Sequence, residues 1–245
     1  MKLDILAIGV HPDDVELGCS GWMLKEMARG KKAGIVDLTQ GELGSRGTVE
    51  TRYQEAAEAA RILGISAREN LKMADGFFSN DEEHQRKLIR MIRKYQPEIV
   101  MANALEDRHP DHGRAGRLIA DACFLAGLRK IETRDDAGGL QEAWRPKYVF
   151  HYIQDRYIEP DFVVDITDVF EKRMESIKAY TTQFYNPDNE SDGPQTYIST
   201  PTFFDSVIGR ARMMGKKIGV QYGEGFVSEK SLGIRDMDAF LLIET

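Results

Sequence analysis

Short apolar runs of strand length alternate along this chain with longer segments of helical periodicity. The runs cover residues 5–9, 34–38, 98–102, 148–152 and 162–165. Strands that are separated by helices in one sheet usually pair in parallel, because the connecting helix returns the chain to the same edge. The alternation therefore predicts an α/β fold with a mainly parallel sheet.

The intervening segments end where helices are expected to end. Helical periodicity covers residues 16–29, 51–63 and 81–95, which are followed by Gly30, Gly64 and Pro97, and it continues over 111–126, 167–180 and 201–217. Residues 41–48 and 185–200 are rich in turn formers and are predicted loops. The chain contains no repeat, low-complexity stretch or composition shift, so its 245 residues are predicted to form one domain, 1–245.

Composition excludes several classes of protein. No apolar run approaches the ~18 residues that a membrane helix needs. The formal charge of −7 argues against a nucleic-acid partner, because that affinity depends on clustered Lys and Arg. Cys19 and Cys123 are far apart in apolar segments, which fits a reducing compartment. We expect a cytoplasmic protein with a small-molecule substrate.

Two groups of His and Asp residues follow predicted strands. His11 and Asp14 come after the strand at 5–9, and His112 comes after the strand at 98–102. Ligands of open parallel sheets bind beyond the carboxyl ends of the strands, so the two groups are expected to face each other. Catalytic zinc takes about three protein ligands from imidazole and carboxylate groups. The sequence therefore predicts a metal site formed by His11, Asp14 and His112.

Two neighbours of these ligands are candidate catalytic groups. Asp13 is not needed as a ligand and is predicted to act as the base that takes a proton from water. His109, in its protonated form, is expected to stabilise an oxyanion or to protonate a leaving amine. Asp107 or Asp111 is expected to orient an imidazole.

The metal is expected to be one Zn²⁺ per chain. Two imidazoles with one carboxylate favour zinc over magnesium, which prefers oxygen ligands, while iron, cobalt and manganese remain alternatives. A His-Pro-Asp turn can also cap a helix without any metal. An inert scaffold with a structural zinc is a further alternative, but such sites usually close all four positions with protein ligands.

Three further residues are candidate substrate contacts. Arg52 begins a helix after the glycine-rich loop and can bind a substrate carboxylate or anchor Glu42. Arg145 is a second candidate for an anion contact, and Tyr197 is a candidate in the polar loop. Solvated surface charge is the alternative role for Arg52.

Four motifs now stand together in the chain: His11-Pro12-Asp13-Asp14, Gly41-Glu42, Arg52 with Glu55, and His109-Pro110-Asp111-His112. Through them the chain is similar over nearly its whole length to the LmbE-like (PIG-L) zinc-dependent deacetylases, which remove acetyl groups from N-acetylglucosamine (GlcNAc) compounds. The resemblance implies a single Rossmann-like three-layer domain, zinc ligands at His11, Asp14 and His112, Asp13 as base, His109 as the assisting histidine and Arg52 as a substrate contact.

Later segments are similar to one branch of that family. Residues 183–184, 215–216 and 220–226 resemble the bacterial branch that deacetylates N-acetylglucosaminyl malate during bacillithiol synthesis. This resemblance implies a cytoplasmic homo-oligomer, a trimer or hexamer, with Arg52 and Arg145 as partners for the malate carboxylates. Free GlcNAc, a chitooligosaccharide or another N-acetyl compound are the alternative substrates.

The sequence differs from the family at Phe203, because relatives have a tyrosine of the catalytic pocket at this position. Either Tyr197 takes that role or the oxyanion contact differs. A nucleotide-binding module is a rival from another class, but the Gly-x-Gly-x-x-Gly motif that it needs is absent after Ile8.

Overall fold

Seven strands form one sheet in the computed structural model, which describes residues 1–185 and 193–241. The spatial order is β3-β2-β1-β4-β5-β7-β6, and β7 is antiparallel to both of its neighbours while the remaining pairs are parallel. The predicted α/β fold with a mainly parallel sheet is confirmed. The strands are β1 (Ile5–Gly9), β2 (Ala33–Thr39), β3 (Ala67–Met73), β4 (Ile99–Ala102), β5 (Tyr148–Tyr152), β6 (Phe162–Asp165) and β7 (Gly223–Ser228).

Seven α-helices cover the sheet within these described ranges. Thr48 caps α3 through a reciprocal pair of hydrogen bonds with Thr51, and Gly64 ends the same helix in the left-handed region with φ of 78°. His109 caps α5, whose first residue is Pro110. The helices are α1 (Asp14–Gly18), α2 (Ser20–Ala28), α3 (Val49–Leu63), α4 (Glu82–Tyr95), α5 (Pro110–Ala126), α6 (Phe170–Lys178) and α7 (Pro201–Ile218).

The central strand β1 shows why the domain has three layers. All five of its residues are buried, as expected for a parallel strand that is covered on both faces. Leu6 and Ile8 pack with residues of α4 and α5, whereas Ile5 and Ala7 point the opposite way and pack with residues of α2, such as Met23. Alternate side chains of one strand thus build two separate cores.

Two strands were not predicted from the sequence. The edge strand β3 has the polar sequence ARENLKM and no buried apolar run. The strand β7 contains Gly223 and Gly225, and at Gly223 an added Cβ would lie only 3.1 Å from a backbone carbon of α7. Close packing of α7 against β7 therefore requires a residue that weakens the sequence signal for a strand.

The ends of the other predicted helices and strands lie close to the observed ones, with one correction. The helix predicted over 16–29 is two helices, since the backbone breaks at Cys19. The carboxylate of Glu224 on β7 accepts hydrogen bonds from the amides of Gly21 and Trp22 at 2.9 and 2.8 Å, which satisfies the first turn of α2. A short 3₁₀ turn, Thr167–Val169, precedes α6. Part of the loop predicted over 185–200, residues 186–192, lies outside the described residues.

Within 1–185 and 193–241, none of the helices has the length and apolar character to cross a membrane.

Candidate metal centre and active site

The predicted loops meet at the carboxyl ends of the parallel strands, as open α/β sheets require. They enclose a cavity of about 450 Å³. The segments after β1, β2, β3 and β4 all contribute to its walls, together with residues from the polar loop before α7. The lining side chains that carry polar groups include His11, Asp13, Asp14, Arg46, Arg52, Asp75, Arg108, His109, His112, Gln154, Gln183 and Tyr197.

The three predicted metal ligands lie together in this cavity. One potential ligand atom from each of His11, Asp14 and His112 lies within 4.8 Å of the others. His112 Nε2 is 3.2 Å from Asp14 Oδ1, and His11 Nδ1 is 3.8 Å from Asp14 Oδ2. Burial alone would lower the pKa of His112, but Asp14 and Asp107 raise it to about 10. The centre therefore favours positive charge, which a divalent cation also supplies.

Each imidazole is held from outside by a carboxylate. His11 Nε2 contacts Asp75 Oδ1 at 2.9 Å, and His112 Nδ1 contacts Asp107 Oδ2 at 2.6 Å. The other nitrogen of each ring then faces Asp14. A carboxylate behind the ring fixes the tautomer and orientation of a ligating histidine and is typical of metal sites. This arrangement fits a metal ion better than it fits a helix cap alone.

Asp14 is held rigidly by the surrounding backbone and amides. Its Oδ2 accepts hydrogen bonds from the amide of Val10 at 3.0 Å and from Asn103 Nδ2 at 3.1 Å, and its Oδ1 accepts one from Gln154 Nε2 at 2.7 Å. Burial would raise the pKa of Asp14, but His112, His11 and the hydrogen bond from Gln154 lower it overall. The carboxylate is therefore ionised, as a metal ligand must be.

A second triplet, His11, His109 and Asp111, also has the spacing of a metal site. Its carboxylate is already engaged, since Asp111 Oδ2 accepts from the amide of Gly76 at 2.8 Å and Oδ1 accepts from Arg114 at 2.8 Å. Among the described residues, the set of His11, Asp14 and His112 is the better metal site.

Asp13 lines the cavity but lies outside both sets of potential metal ligands in the described residues. Its φ of 135° lies in a region that residues with a side chain rarely adopt, and such strain costs about 1–3 kcal/mol. Its carboxylate lies in the cavity wall, 3.5 Å from Arg52 Nη1. Burial raises the pKa of Asp13 to about 7, although Arg52 opposes the shift. A carboxyl group with a pKa near neutrality can both accept and return a proton.

Arg52 links Asp13 to two other segments. Its Nη1 donates to the carbonyl of Pro12 at 3.2 Å, and its Nη2 donates to Gln183 Oε1. At Gly41, where φ is 66°, an added Cβ would lie 3.3 Å from the guanidinium carbon. Arg52 is buried, so the alternative of a solvated surface charge does not describe it. Glu42 is not its partner and instead accepts from the amide of Asp75 at 2.8 Å.

His109 lies beside both histidine ligands, with its ring centroid 4.9 Å from that of His11 and 5.2 Å from that of His112. Burial, together with these two neighbours, lowers the pKa of His109. Its Nδ1 accepts a hydrogen bond from the amide of Asp111 at 3.3 Å. A neutral ring with its proton on Nε2 is thus favoured over the protonated ring that the sequence suggested, and it still offers a donor to the cavity.

Tyr197 lines the cavity on the side of the polar loop. The guanidinium of Arg108 lies 4.3 Å from the centre of its ring, and Asp155 accepts from both the Tyr197 hydroxyl, at 3.1 Å, and Arg108 Nε, at 2.7 Å. Phe203, in contrast, is buried and stacks on Phe184 at 5.6 Å between centroids. Of these two aromatics, Tyr197 is the one that reaches the cavity.

The structure does not bring Arg145 to the site. Arg145 precedes β5, at the amino end of the strands, whereas the cavity lies at their carboxyl ends. It donates to the carbonyl of Phe124 at 2.9 Å and lies over the ring of the same residue, near the end of α5. The strand predicted at 148–152 already put Arg145 before a strand rather than after it, so strand position could have set it aside where residue type could not.

Asp75, Gln154 and Gln183 were not identified from the sequence. Asp75 follows β3, whose polar sequence hid the strand and therefore hid the strand end. Gln154 follows β5 directly, a position that could have been noted once that strand was predicted. Gln183 carries no comparable local signal.

Comparison with known proteins places this geometry in a family. The sequence profile named PIG-L, described as GlcNAc-PI de-N-acetylase, matches residues 6–123, which contain both groups of predicted ligands. The solved structure of the conserved protein TT1542 from Thermus thermophilus is 36% identical, with a TM-score of 0.83, and the match covers 96% of this chain and 98% of that one. The chain belongs to the PIG-L deacetylase family. The prediction of a hydrolase that acts on amides is confirmed at the level of this family.

Two curated relatives of the PIG-L family carry different activities. The diacetylchitobiose deacetylase of Thermococcus kodakarensis is 28% identical over 231 residues, which cover 90% of this chain and 81% of that protein. The 4-oxalmesaconate hydratase of Pseudomonas putida is 26% identical over 193 residues, which cover 73% of each. The family resemblance is therefore correct, while the more specific likeness to the bacillithiol branch finds no counterpart in these relatives.

Proposed function

We propose that this protein is a zinc-dependent deacetylase that hydrolyses the acetamide of a GlcNAc unit in a small saccharide. The observation that carries the proposal is the arrangement around Asp14. Two imidazoles, each backed by a carboxylate, face Asp14, and the neighbouring Asp13 remains available for proton transfer. Two nitrogens with one oxygen favour zinc over magnesium, and three protein ligands leave a position open for water or substrate.

Each catalytic residue of this chain has its own part in the proposed hydrolysis. Bound zinc would polarise the acetamide carbonyl and make a nearby water more acidic. Asp13 takes a proton from the attacking water, whose oxygen forms a bond to the carbonyl carbon. The neutral His109 donates a hydrogen bond from Nε2 to the developing oxyanion. Asp13 then returns the proton to the amine nitrogen as the C–N bond breaks, which gives acetate and a free amine.

Arg52 has a supporting part in this scheme. Its positive charge lies 3.5 Å from Asp13 and stabilises the carboxylate form of the base. Because the same guanidinium donates to Pro12 and Gln183, its position is fixed before substrate arrives.

The charges of the cavity wall favour an uncharged partner for the GlcNAc unit over malate. The arginines that line the cavity in the described residues already interact with protein groups. Arg46 donates to the carbonyl of Thr182 at 2.8 Å, Arg52 contacts Asp13, and Arg108 is paired with Asp155. Because Arg145 lies elsewhere, a dicarboxylate would have to displace one of these partners. A short chitooligosaccharide, the substrate class of the Thermococcus relative, makes no such demand.

Acetate release from three substrates tests this function. We would compare diacetylchitobiose, free GlcNAc and GlcNAc-malate, using zinc-loaded protein and a chelated control. We expect chelator-sensitive release, with a higher kcat/KM for diacetylchitobiose than for the malate conjugate. Preferred acetate release from GlcNAc-malate would support the deacetylase activity but would show that the malate conjugate is the better substrate. No acetate from any of them, with zinc still bound, would contradict the proposed function and make a hydratase-type reaction the next to assay.

A further inference from the structure

A second, much smaller cavity lies behind the active site. Its volume is about 10 Å³, which is room for one water molecule or one small ion. Leu17 of α1 lines both cavities. The other lining residues are Gly18, Ile153, Arg173, Arg210, Ala211, Met214, Gly223, Glu224 and Gly225.

Arg173 brings a buried guanidinium to this small cavity. It is only 2% exposed. Its Nε donates to Glu224 Oε1 at 2.9 Å and its Nη2 to the carbonyl of Leu17 at 2.7 Å. Its Nη1 reaches the sulfur of Met174 at 3.8 Å, and a thioether is a weak acceptor. Arg173 therefore keeps hydrogen-bonding capacity beyond its ion pair.

Arg210 of α7 brings a second guanidinium to the same cavity. It makes no hydrogen bond or ion pair with any residue in 1–185 or 193–241. Burial, reinforced by the positive charge of Arg173, lowers the pKa of Arg210 to about 10. A guanidinium has five N–H donors. Arg210 is half-buried, and the described protein groups engage none of these donors, so they remain available to a ligand in the cavity.

The acidic residues whose charges act on Arg210 make their hydrogen bonds to other groups. Glu224 accepts from the amides of Gly21 and Trp22 and from Arg173. Asp155 accepts from Arg108 and Tyr197, and Asp107 accepts from His112 and the backbone. The lining of the small cavity carries two guanidinium groups and one carboxylate, which leaves an excess of positive charge there.

We propose that the small cavity is a binding site for a monatomic anion, chloride under cellular conditions, held between Arg173 and Arg210. The narrow space suits a single atom better than phosphate or a carboxylate, and the lining supplies N–H donors and excess positive charge. Such an ion would tie α7 to α6 and to Leu17 at the end of α1, the helix that begins with Asp14. The anion is thus a structural support for the metal-binding helix and lies outside the reaction itself.

Thermal unfolding of the full-length, metal-loaded protein tests this site. We would compare chloride with methanesulfonate, which is too large for the cavity, at the same ionic strength. We expect the Tm to rise with chloride concentration and to saturate at about 2–4 °C above its value in methanesulfonate. Arg210→Gln should abolish the difference. Arg212→Gln, on an exposed residue of the same helix, should retain it.

A direct measurement covers the case in which Arg210→Gln fails to fold. Crystals of the unmodified protein grown in bromide should show an anomalous peak between the two guanidinium groups. Absence of that peak, or equal Tm values in the two salts, would mean that the cavity holds water and would overturn the proposal. A chloride effect that persists in a folded Arg210→Gln variant would place the anion elsewhere and would overturn it equally.

Discussion

Two clusters of charged side chains meet at the short helix α1, which contributes Asp14 to one and Glu16 to the other, and they differ in what their polar atoms face. The site cluster consists of His11, Asp13, Asp14 and His112, and its inner atoms face a cavity of about 450 Å³. The closed cluster consists of Glu16, Asp37, Arg68 and Tyr180, whose side chains bond to one another. Asp14 and Glu16 are only two residues apart, so about half a turn of helix separates the two environments.

The closed cluster sets one guanidinium against two carboxylates. Arg68 donates to both oxygens of Asp37, at 2.8 and 2.9 Å, and to Glu16 Oε1 at 2.7 Å. The hydroxyl of Tyr180 donates to the same Glu16 oxygen at 3.0 Å. Burial raises the pKa of Asp37, and Arg68 opposes that shift. Among the buried polar atoms of this cluster, Glu16 Oε2 is the one left without a hydrogen-bond partner in the described residues.

Burial alone therefore does not mark a functional charge in this protein. Both clusters are buried, but only the site cluster combines buried charge with open space and with a strained backbone at Asp13. We expect substitutions in the site cluster to change activity with little effect on stability, and substitutions in the closed cluster to do the reverse.

Replacement of Asp13 by Asn should have the largest effect on activity. An amide has nearly the same shape as the carboxylate but cannot take the proton of the attacking water. We expect kcat to fall by about 10²–10⁴-fold, the usual contribution of a general base. Acetate release under saturating substrate measures the effect, with zinc content determined on the same sample. Turnover within a few-fold of the original, with zinc still bound, would remove Asp13 from the mechanism.

Replacement of Arg68 by Met should have the largest effect on stability. It leaves Asp37 and Glu16 buried without their partner, and loss of one member of a buried ion pair costs about 3–5 kcal/mol. Urea unfolding measures the change in the free energy of unfolding. Arg61→Met is the matched control, because Arg61 pairs with Glu58 on the exposed face of α3 and should change stability by less than about 1 kcal/mol.

The same variant tests the separation of the two clusters. At a temperature where Arg68→Met remains folded, its kcat per bound zinc should equal that of the original protein. A large loss of kcat in folded, zinc-loaded protein would show that the closed cluster contributes to the reaction.

Replacement of Asp75 by Asn should weaken zinc binding, with an effect smaller than that of the two preceding replacements. Asp75 is not a ligand, but it holds His11 from outside, and loss of such an outer carboxylate costs about 10–100-fold in affinity. Competition with a zinc-sensitive dye measures the dissociation constant. Asp107→Asn, which removes the equivalent support of His112, should behave alike. Unchanged zinc affinity in both variants would mean that the imidazoles do not depend on these carboxylates.

The contrast between β1 and β3 explains how far the sequence could predict this site. β1 is apolar throughout and fully buried, so its end, and with it His11, Asp13 and Asp14, could be located in advance. β3 lies at the sheet edge, carries polar side chains on partly exposed positions and has no distinctive pattern. Asp75 therefore remained hidden, although it supports His11 in the same way as Asp107 supports His112. The closed cluster was hidden for the same reason, since Arg68 also lies on β3.

The two candidate arginines show that residue type alone also could not place a side chain at the site. Arg52 and Arg145 were both candidate anion contacts, with Arg52 also implied by the family resemblance, and residue type says nothing about which edge of the sheet a side chain reaches. The fold separates them, with Arg52 buried beside Asp13 and Arg145 exposed near the end of α5.

Replacement of Arg145 by Gln should accordingly have the smallest effect. Arg145 belongs to neither cluster, and an exposed substitution away from the site usually changes free energies by no more than about 0.5 kcal/mol, or roughly twofold in kcat/KM. Arg52→Gln is the matched comparison and should lower kcat/KM much further, because it removes the cation beside the base. If Arg145→Gln instead raised KM strongly for GlcNAc-malate but not for diacetylchitobiose, then Arg145 would reach the substrate in an assembly larger than one chain, and malate would return as the preferred aglycone.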